Sequence, residues 1–412
     1  MSGVEYKFPK GFHWGASTAS YQVEGGIENN DWAEASREGR VPVCGLACDH
    51  YRRYEEDFDL AKSLGHNAHR FSVEWARIEP EEGKFDEEAI EHYKKVLDSL
   101  KERKIEPYLT LWHFTLPLWF VSKGGFENPE SARYFARYCA YLASKLGDRC
   151  HRFATMNEPN VFASNGWLQG SWPPFKRFVL TGLVKITNSD NKESDVSNNG
   201  WRSLWLHYKV LNNLISAHNE AYKAIKSVAP KSEVSLVKHV IVFDSNRNPF
   251  NKLKALVSHY IWTDYFMRRV YKSCDSIGLN YYFYTRFGDR TEWRKTDMGW
   301  NFAPQYIYQA LMSLNKYGLP LYVAEGGLAD ASDEGRREYI RGQVKATWRA
   351  INEGVDVKAH LYWSLLDNYE WAYGFDKRFG LIEIDYDTKE RKVRRSAYEY
   401  KEICINNGLS AK

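Results

Sequence analysis

The 412-residue chain is 43% apolar and 27% charged, and its 57 basic and 53 acidic residues give a net charge of +4. No basic tract interleaves with aromatic residues and no apolar run reaches the ~18–20 residues of a membrane span, so neither nucleic acid nor a membrane is an expected partner. The first ten residues contain no apolar stretch of the secretory type, and we expect a cytoplasmic protein.

One pattern recurs along the chain: a short apolar run, a cluster of polar and aromatic residues, then an amphipathic helical segment. Each run has the length of a strand and is apolar enough to be buried on both faces of a sheet. The eight runs that we predict as strands are 12–17, 68–74, 107–112, 152–157, 234–242, 276–282, 321–324 and 357–364.

Four of the intervening segments carry apolar residues three or four positions apart, which is typical of a helix with one buried face. Gly65 follows the first segment and can end that helix in a left-handed conformation. Asp86 is predicted to cap the second helix, and Asn128 with Pro129 to begin the third. The apolar positions are Tyr54, Phe58, Ala61 and Leu64; Ile90, Tyr93, Leu97 and Leu100; Phe135, Tyr138 and Leu142; and Ile340, Val344, Trp348 and Ile351.

Strands that alternate with helices indicate a parallel α/β sheet. Eight such units favour a closed barrel over an open doubly wound sheet, and no G-x-G-x-x-G turn supports the open arrangement. We therefore predict a single-domain TIM (β/α)8 barrel over residues 1–412, with elaborated βα loops. The polar stretch 187–200 is interpreted as a mobile surface loop within this domain and not as a domain boundary.

The six cysteines are spread along the chain, and the closest two, Cys44 and Cys48, have no second pair at zinc-binding spacing. We expect all six to be reduced structural thiols, and we expect no metal site. The chemistry of the protein must then come from other side chains.

The active site of a TIM barrel lies at the carboxyl ends of its strands. Glu158 ends the fourth predicted strand and Glu325 ends the seventh, so both carboxyl groups can converge on one cavity. Cleavage of a glycosidic bond requires, at a minimum, two carboxyl groups that face each other across the bond. The other strand ends carry further candidate site residues, namely Gln22, Arg70, His113, Asn157, Tyr282 and Trp363, with Glu370 and Trp371 just beyond the eighth strand.

Four segments of the chain have the form of family motifs. Residues 155–159 have the sequence TMNEP, residues 323–327 VAEGG, residues 12–26 FHWGASTASYQVEGG and residues 363–380 WSLLDNYEWAYGFDKRFG. The first two resemble the T-F-N-E-P and I-T-E-N-G motifs of glycoside hydrolase family 1, the β-glucosidase family. The other two resemble the opening segment of that family and its signature after strand eight. The resemblance runs over nearly the whole chain, with the motifs in the family's order.

This resemblance implies a β-glycosidase that acts in two displacements with retention at the anomeric carbon. Glu325 is implied as the nucleophile and Glu158 as the acid/base, with carboxyl groups about 5–5.5 Å apart. The charge of Glu325 would keep Glu158 protonated until the glycosyl-enzyme forms. Arg70 and Tyr282 are implied beside Glu325 as its support, and the chemistry needs no cofactor.

The resemblance also implies how the sugar is bound in the donor subsite. Asn157 would contact the 2-hydroxyl, and Trp363 would form the floor on which the ring stacks. Glu370 would bridge the O4 and O6 hydroxyls, and its pairing with Trp371 is typical of members that accept non-phosphorylated sugars. The implied sugar-binding residues are Gln22, His113, Asn157, Trp363, Glu370 and Trp371, and the expected partners are small β-glycosides or oligosaccharides.

Four positions depart from the family pattern. Gly326 replaces the usual Asn after the nucleophile, so the contacts of that side chain are lost and a lower activity is expected. Phe114 replaces a Trp and removes an indole N–H near the sugar, and Thr115 replaces an Asp. Met156 in place of Phe is a conservative change in packing.

Several alternatives stay open. The same residues accept other hydroxyl configurations, so a β-galactosidase, β-fucosidase or β-mannosidase with this mechanism is an alternative, and transglycosylation is another. A catalytically impaired glycan-binding homologue is disfavoured because Glu158 and Glu325 are both present. An aldolase or isomerase would need a Schiff-base lysine or a phosphate-binding glycine loop, and Trp363 and Ser364 stand at the end of the eighth strand instead.

Overall fold

The computed structural model describes residues 4–177, 200–288 and 291–410. Eight parallel strands close into a barrel in chain order, with the eighth strand pairing to the first. All eight predicted strands are confirmed, with ends that differ by a few residues at most. They are β1 (His13–Ser17), β2 (Ala68–Ser72), β3 (Glu106–Thr110), β4 (Arg152–Asn157), β5 (Glu233–His239), β6 (Ser276–Asn280), β7 (Leu321–Glu325) and β8 (Val357–Trp363).

The barrel strands are buried on both faces, and strands such as β7 are accordingly apolar up to their last residue. One face contributes to the larger core between the strands and the helices. The other face fills the barrel with a separate cluster of Ala68, Tyr108, Ala154, Val237, Tyr322, Ala324, Ala359 and Leu361. This filled interior leaves the ends of the strands as the place for polar chemistry.

In the described residues, a main helix follows each barrel strand, so the predicted (β/α)8 fold is confirmed. The fifth helix continues through a π-helical turn, Tyr260–Asp264, into a further helix, Tyr265–Val270. The main helices are α1 (His50–Ser63), α2 (Glu87–Glu102), α3 (Ser131–Leu146), α4 (Gly200–Val228), α5 (Pro249–His259), α6 (Ile307–Asn315), α7 (Arg336–Asn352) and α8 (Arg395–Asn406).

Local signals for helix ends are confirmed at two positions and wrong at a third. Asp86 caps α2 by accepting two backbone hydrogen bonds, and Gly65 has a φ of +74° after α1. Helix α3 begins at Ser131 and not directly after Asn128. Asn128 Oδ1 accepts from the N–H of Glu130 at 2.9 Å, so it closes a turn that precedes the helix.

The βα loops are elaborated, as predicted, with short helices and strand pairs. The short helices in these loops are Ser20–Val23, Asp31–Arg37, Trp75–Ile78, Leu118–Ser122, Gly125–Glu127, Pro159–Trp167, Pro304–Tyr306 and Trp371–Tyr373; Tyr271–Ser273 follows the fifth helix. The strand pairs are Val242–Ser245 with Tyr284–Phe287, and Ile382–Ile384 with Arg391–Val393. A further pair joins Val4–Lys7 near one end of the chain to Gly408–Ser410 near the other.

Three sequence expectations concern features away from the barrel. The predicted loop 187–200 lies outside the described residues except for Gly200, where α4 begins. All six cysteine side chains are buried and unpaired. In the part of the chain that the structure describes, no helix combines the length and the apolar character needed to cross a membrane.

Candidate active site

A cavity of about 450 Å³ opens at the carboxyl ends of the barrel strands. Arg70 lies fully buried behind Glu325, and the other predicted site residues all line the cavity. These lining residues are Gln22, His113, Asn157, Glu158, Tyr282, Glu325, Trp363, Glu370 and Trp371. The closed barrel therefore brings together candidates from both ends of the chain.

Glu325, at the end of β7, is held by two hydrogen-bond donors. Arg70 Nη1 donates to Oε1 at 2.5 Å, and the Tyr282 hydroxyl donates to Oε2 at 2.7 Å. Burial, and then the charge of Glu325, raises the pKa of Tyr282 well above its ordinary value, so the phenol keeps the proton that it donates. The two contacts fix the orientation of the carboxylate, and the guanidinium compensates its buried charge.

Glu158 precedes the helix Pro159–Trp167 with a left-handed backbone, φ +44°. Non-glycine residues adopt this conformation at a cost, and such residues cluster at functional sites. Its N–H donates to the carbonyl of Val237 at 2.9 Å, and its Oε1 accepts from Asn280 Nδ2 at 2.8 Å. Burial, and then the charge of Glu325, raises the pKa of Glu158 to about 8, so this carboxyl is protonated at neutral pH.

Asn157 joins the two carboxyl groups through a chain of hydrogen bonds. Its Oδ1 accepts from Arg70 Nη2 at 2.8 Å and from Asn280 Nδ2 at 3.2 Å. The same arginine contacts Glu325, and the same asparagine contacts Glu158. A shift of any residue in this series of hydrogen bonds therefore affects the positions of both carboxyl groups.

His113 presents a neutral ring to the cavity. Burial, and then the charge of Arg70, lowers its pKa well below the ordinary value. Asn157 Nδ2 donates to His113 Nε2 at 3.3 Å, which assigns the ring proton to Nδ1. Nδ1 has no partner among the described residues, so it is available to donate to a hydroxyl. The ring lies nearly parallel to those of Trp363 and Trp371, 6.0 Å from each.

Two side chains offer acceptors on the same side of the cavity. Gln22 Nε2 donates to Asn368 Oδ1 at 3.0 Å and to the carbonyl of Tyr369 at 2.7 Å. These bonds occupy its amide hydrogens, and its Oε1 has no partner among the described residues. Burial, and then the charge of Glu325, raises the pKa of Glu370 to about 8. Gln22 can therefore accept from a hydroxyl group, and the protonated carboxyl of Glu370 can accept from one hydroxyl and donate to another.

The departures at Phe114 and Thr115 have different surroundings. Phe114 has φ +77° and packs its ring 5.2 Å from Trp371 and 4.8 Å from Trp172, within an aromatic cluster on the cavity wall. An indole N–H is missing at this point, as the sequence indicates. The hydroxyl of Thr115 donates to both carboxylate oxygens of Glu74 at 3.0 Å.

Sequence reasoning missed Asn280 and the outer half of the cavity. Asn280 is the polar end of β6, which is the same signal that identified Asn157 at the end of β4. Most of the outer residues come from βα loops, whereas His239 ends β5 and Trp262 lies in the π-helical turn after α5. The outer residues are Val161, Asn165, Gln169, Trp172, His239, Ile241, Trp262, Phe283, Met298, Trp300 and Phe379.

A (β/α)8 barrel whose cavity brings an arginine-clamped carboxylate, Glu325, together with a carboxyl of raised pKa, Glu158, has the residues that a glycoside hydrolase needs. The model of Glycosyl hydrolase family 1 matches residues 4–274 and 250–409, so the chain belongs to this family. The resemblance seen in the four motifs is thereby confirmed.

Named relatives match the chain over almost its whole length. Beta-glucosidase A of Thermotoga maritima is 31% identical over 98% of this chain and 99% of its own. The structure of the Thermotoga maritima family 1 β-glucosidase with isofagomine lactam gives a TM-score of 0.86 at 30% identity, with 98% and 100% covered. A β-galactosidase of Sulfolobus acidocaldarius is 31% identical over 98% of this chain and 96% of its own. The structure of a β-glycosidase from Pyrococcus horikoshii gives a TM-score of 0.88 at 35% identity. The match covers 100% of this chain and 97% of the other.

The space left by Gly326 is occupied by another side chain. A β-carbon on Gly326 would lie 2.7 Å from Gln343 Oε1 and 2.8 Å from its Nε2. Gln343, on α7, is fully buried, and its Nε2 lies 3.3 Å from the hydroxyl of Tyr339 and 3.5 Å from the carbonyl of Tyr281. The Tyr339 hydroxyl donates in turn to the carbonyl of Tyr282. Gln343 therefore supports the backbone beside Glu325 in place of the missing Asn side chain.

We expect Gly326→Asn to reduce both stability and kcat in this protein. The new side chain would push into the buried amide of Gln343, and such overpacking costs about 1–3 kcal/mol. The resulting shift of the β7 end would also misplace Glu325 relative to the sugar. Thermal unfolding and steady-state kinetics with an aryl β-glucoside measure the two effects.

The matched control combines Gly326→Asn with Gln343→Ala. Removing the amide opens room for the Asn side chain, so the double variant should be more stable and more active than Gly326→Asn alone. The double-mutant cycle isolates the coupling between the two positions. Additive losses in the double variant would contradict the structural account.

Proposed function

We propose that this protein hydrolyses terminal, non-reducing β-D-glycosidic bonds with retention, and that β-glucosides are its preferred substrates. The observation that carries the proposal is the contrast between two carboxyl groups in one cavity. Glu325 is paired with Arg70 and suited to attack, whereas Glu158 has a raised pKa and is suited to donate a proton. A retaining double displacement requires this division of roles.

In the first step, a carboxylate oxygen of Glu325 attacks the anomeric carbon. Glu158 donates its proton to the glycosidic oxygen, which takes the electron pair of the breaking C–O bond and leaves as an alcohol. The products are the free aglycone and a glycosyl ester on Glu325. Arg70 and Tyr282 hold the attacking carboxylate in line with the bond that breaks.

In the second step, water attacks the same carbon from the side that the aglycone left, the C–O bond of the glycosyl ester breaks, and Glu325 leaves with the electron pair as a free carboxylate. Formation of the ester has removed the negative charge of Glu325, which is one of the two causes that raise the pKa of Glu158. That pKa therefore falls, and Glu158 accepts the proton of the attacking water. If a hydroxyl group of a second sugar attacks in place of water, the same route gives transglycosylation.

The donor subsite supports a neutral hexose. Gln22 Oε1 and the Nδ1–H of His113 offer an acceptor and a donor at fixed positions, and the ring of Trp363 offers a stacking surface. Glu370 supplies a carboxyl group for outer hydroxyl groups, and it offers no positive charge to the phosphate of a phosphorylated sugar. The expected substrates are small β-glycosides and oligosaccharides. A β-galactosidase preference is the second candidate, since one relative of equal identity carries that name.

Incubation with a 2-deoxy-2-fluoro-β-glucoside carrying an activated leaving group tests the proposal. The fluorine slows both steps, but the leaving group lets the first proceed, so the glycosyl-enzyme accumulates. Intact mass spectrometry and peptide mapping should find one fluoroglucosyl group on Glu325. The Glu325→Ala variant is the control and should remain unlabelled.

Each outcome of the labelling experiment has a distinct meaning. An adduct on Glu325 with the gluco reagent supports the nucleophile, the retaining mechanism and the sugar together. An adduct that forms only with the galacto or manno reagent keeps the mechanism and changes the sugar. No adduct with any of the three reagents would contradict the proposal and favour a glycan-binding protein.

We further propose that residues 1–412 act as one catalytic domain. The pairing of Val4–Lys7 with Gly408–Ser410 supports this proposal, because it ties the two ends of the chain together outside the barrel. Limited proteolysis should then yield no stable fragment smaller than the barrel.

A further inference from the structure

Helix α5 and the π-helical turn after it expose a continuous apolar face. Six large apolar side chains on this segment are between 43% and 75% exposed, at positions mostly three or four residues apart. Monomeric proteins rarely leave contiguous apolar patches of more than a few hundred Å² uncovered. This face, the α5 surface, consists of Phe250, Leu253, Leu256, Val257, Tyr260 and Ile261.

Basic residues flank the α5 surface. On a helical projection of about 100° per residue, Lys252 and Lys254 lie on opposite sides of the apolar arc, and Arg247 lies just before the helix. All three are exposed, and none of them is ion-paired with a residue that the structure describes. The segment from Ser245 to Thr263 contains no acidic residue, and the carboxylates on either side of it are already paired, Asp244 with Arg286 at 3.5 Å and Asp264 with Lys316 at 2.6 Å. The surface is therefore apolar at its centre and positive at its rim.

This charge pattern disfavours a second copy of the chain as the occupant. In a two-fold symmetric contact the same patch faces itself, so each copy would bring its own basic rim to the other. No carboxylate on the segment is available to meet the three cations. Like charges held close together destabilise such a contact, whereas an anionic partner would neutralise the three cations.

An anionic lipid surface meets both features of the face. A helix with aromatic and aliphatic residues on one side and lysines along its edges lies in the plane of a membrane interface. The apolar side chains enter the boundary of the acyl chains, while the lysine ammonium groups reach outward to the anionic head groups. The sequence predicts no membrane partner because it contains no membrane-spanning segment. A helix that lies flat on a membrane needs no such segment, so that prediction does not apply to it.

We infer that the α5 surface docks this protein on membranes that contain anionic lipids. Trp262, the residue after Ile261, lines the catalytic cavity, so the docking surface borders the mouth of the barrel. Docking through α5 therefore holds the active site beside the lipid. The inference rests on α5 alone and is independent of which sugar the enzyme prefers.

Vesicle sedimentation of the full-length enzyme tests this inference. The probes are vesicles of phosphatidylcholine alone and of an equal mixture with phosphatidylglycerol. We expect sedimentation with the mixed vesicles only, and a loss of binding as salt screens the charges. Lys252→Gln with Lys254→Gln should weaken partitioning about 25-fold, because each basic residue near such a surface contributes about fivefold. Phe250→Ser with Leu256→Ser should also release the protein.

Matched controls separate docking from general effects of charge and polarity. Lys62→Gln with Lys95→Gln removes the same charge from α1 and α2, and Ile405→Ser removes an exposed apolar side chain from α8. Both controls should bind as the unchanged protein does, and all variants should keep its glycosidase rate. Absence of binding to the mixed vesicles, or binding that the α5 variants leave intact, would overturn the inference. A lipid-independent dimer that Phe250→Ser dissociates would assign the surface to a second copy.

Discussion

Replacing Glu325 with alanine should lower kcat by at least about 10⁴-fold while the fold and the affinity for sugar are retained. Without its nucleophile, a covalent mechanism keeps only the contributions of binding and of the remaining charges. Arg70 and Tyr282 lose the carboxylate that they orient, but Arg70 keeps its hydrogen bonds to Thr110 and Asn157. Steady-state kinetics with an aryl β-glucoside and near-ultraviolet circular dichroism measure the two parts of this expectation.

Azide provides the diagnostic control for Glu325→Ala. The small anion fits the space that the carboxylate leaves and attacks the anomeric carbon from the same face. We expect partial recovery of the rate and an α-glycosyl azide, with inversion at the anomeric carbon. Glu370→Gln, which changes another carboxyl group in the same cavity, should raise KM without such rescue. A product of retained configuration would show that a different residue is the nucleophile.

The barrel was predictable because its signals are local. A strand that is buried on both faces, such as β6 or β7, is apolar through its middle residues, and such runs are visible without knowledge of their neighbours. The start of α3 was not predictable in this way. The residues from Asn128 to Ser131 satisfy the rules for a turn and for a helix start equally well, and packing decides between them.

The inner half of the site was predictable because strand ends and motifs mark it. Glu158 directly follows β4 and Glu325 ends β7, and the closed barrel then brings them into one cavity. The partner of Gly326 was not predictable, since Gln343 lies on the following helix and approaches only in three dimensions. A sequence position that loses a side chain does not reveal which other side chain fills the space.

The charge of Glu325 has two uses in the proposed mechanism. It supplies the electron pair for attack, and it contributes to the high pKa of the neighbouring Glu158. Arg70 limits how strongly that charge acts, because the guanidinium lies against one carboxylate oxygen. The same ion pair thus tunes both the nucleophile and the acid.

Replacing Glu158 with glutamine should separate the two chemical steps. Cleavage of substrates with poor leaving groups, such as alkyl glucosides, should fall by about 10²–10⁴-fold because no proton is delivered to the leaving oxygen. A dinitrophenyl glucoside needs no such proton, so its first step should persist and the glycosyl-enzyme should accumulate as a burst. Azide should then accelerate turnover and give a β-glycosyl azide. Equal losses with both classes of leaving group would contradict an acid/base role.

The pH profile of kcat/KM gives an independent measure of the same group. Glu158 must be protonated to act as the acid, and its pKa is raised to about 8, so activity should persist at neutral pH and fall as the pH rises through that value. In Glu158→Gln the alkaline decline should disappear for the dinitrophenyl substrate. Glu370 has a pKa raised to about the same value, so the profile of Glu370→Gln is the necessary comparison. If that variant loses the decline and Glu158→Gln keeps it, the titrating group is Glu370, and the assignment of the acid is wrong.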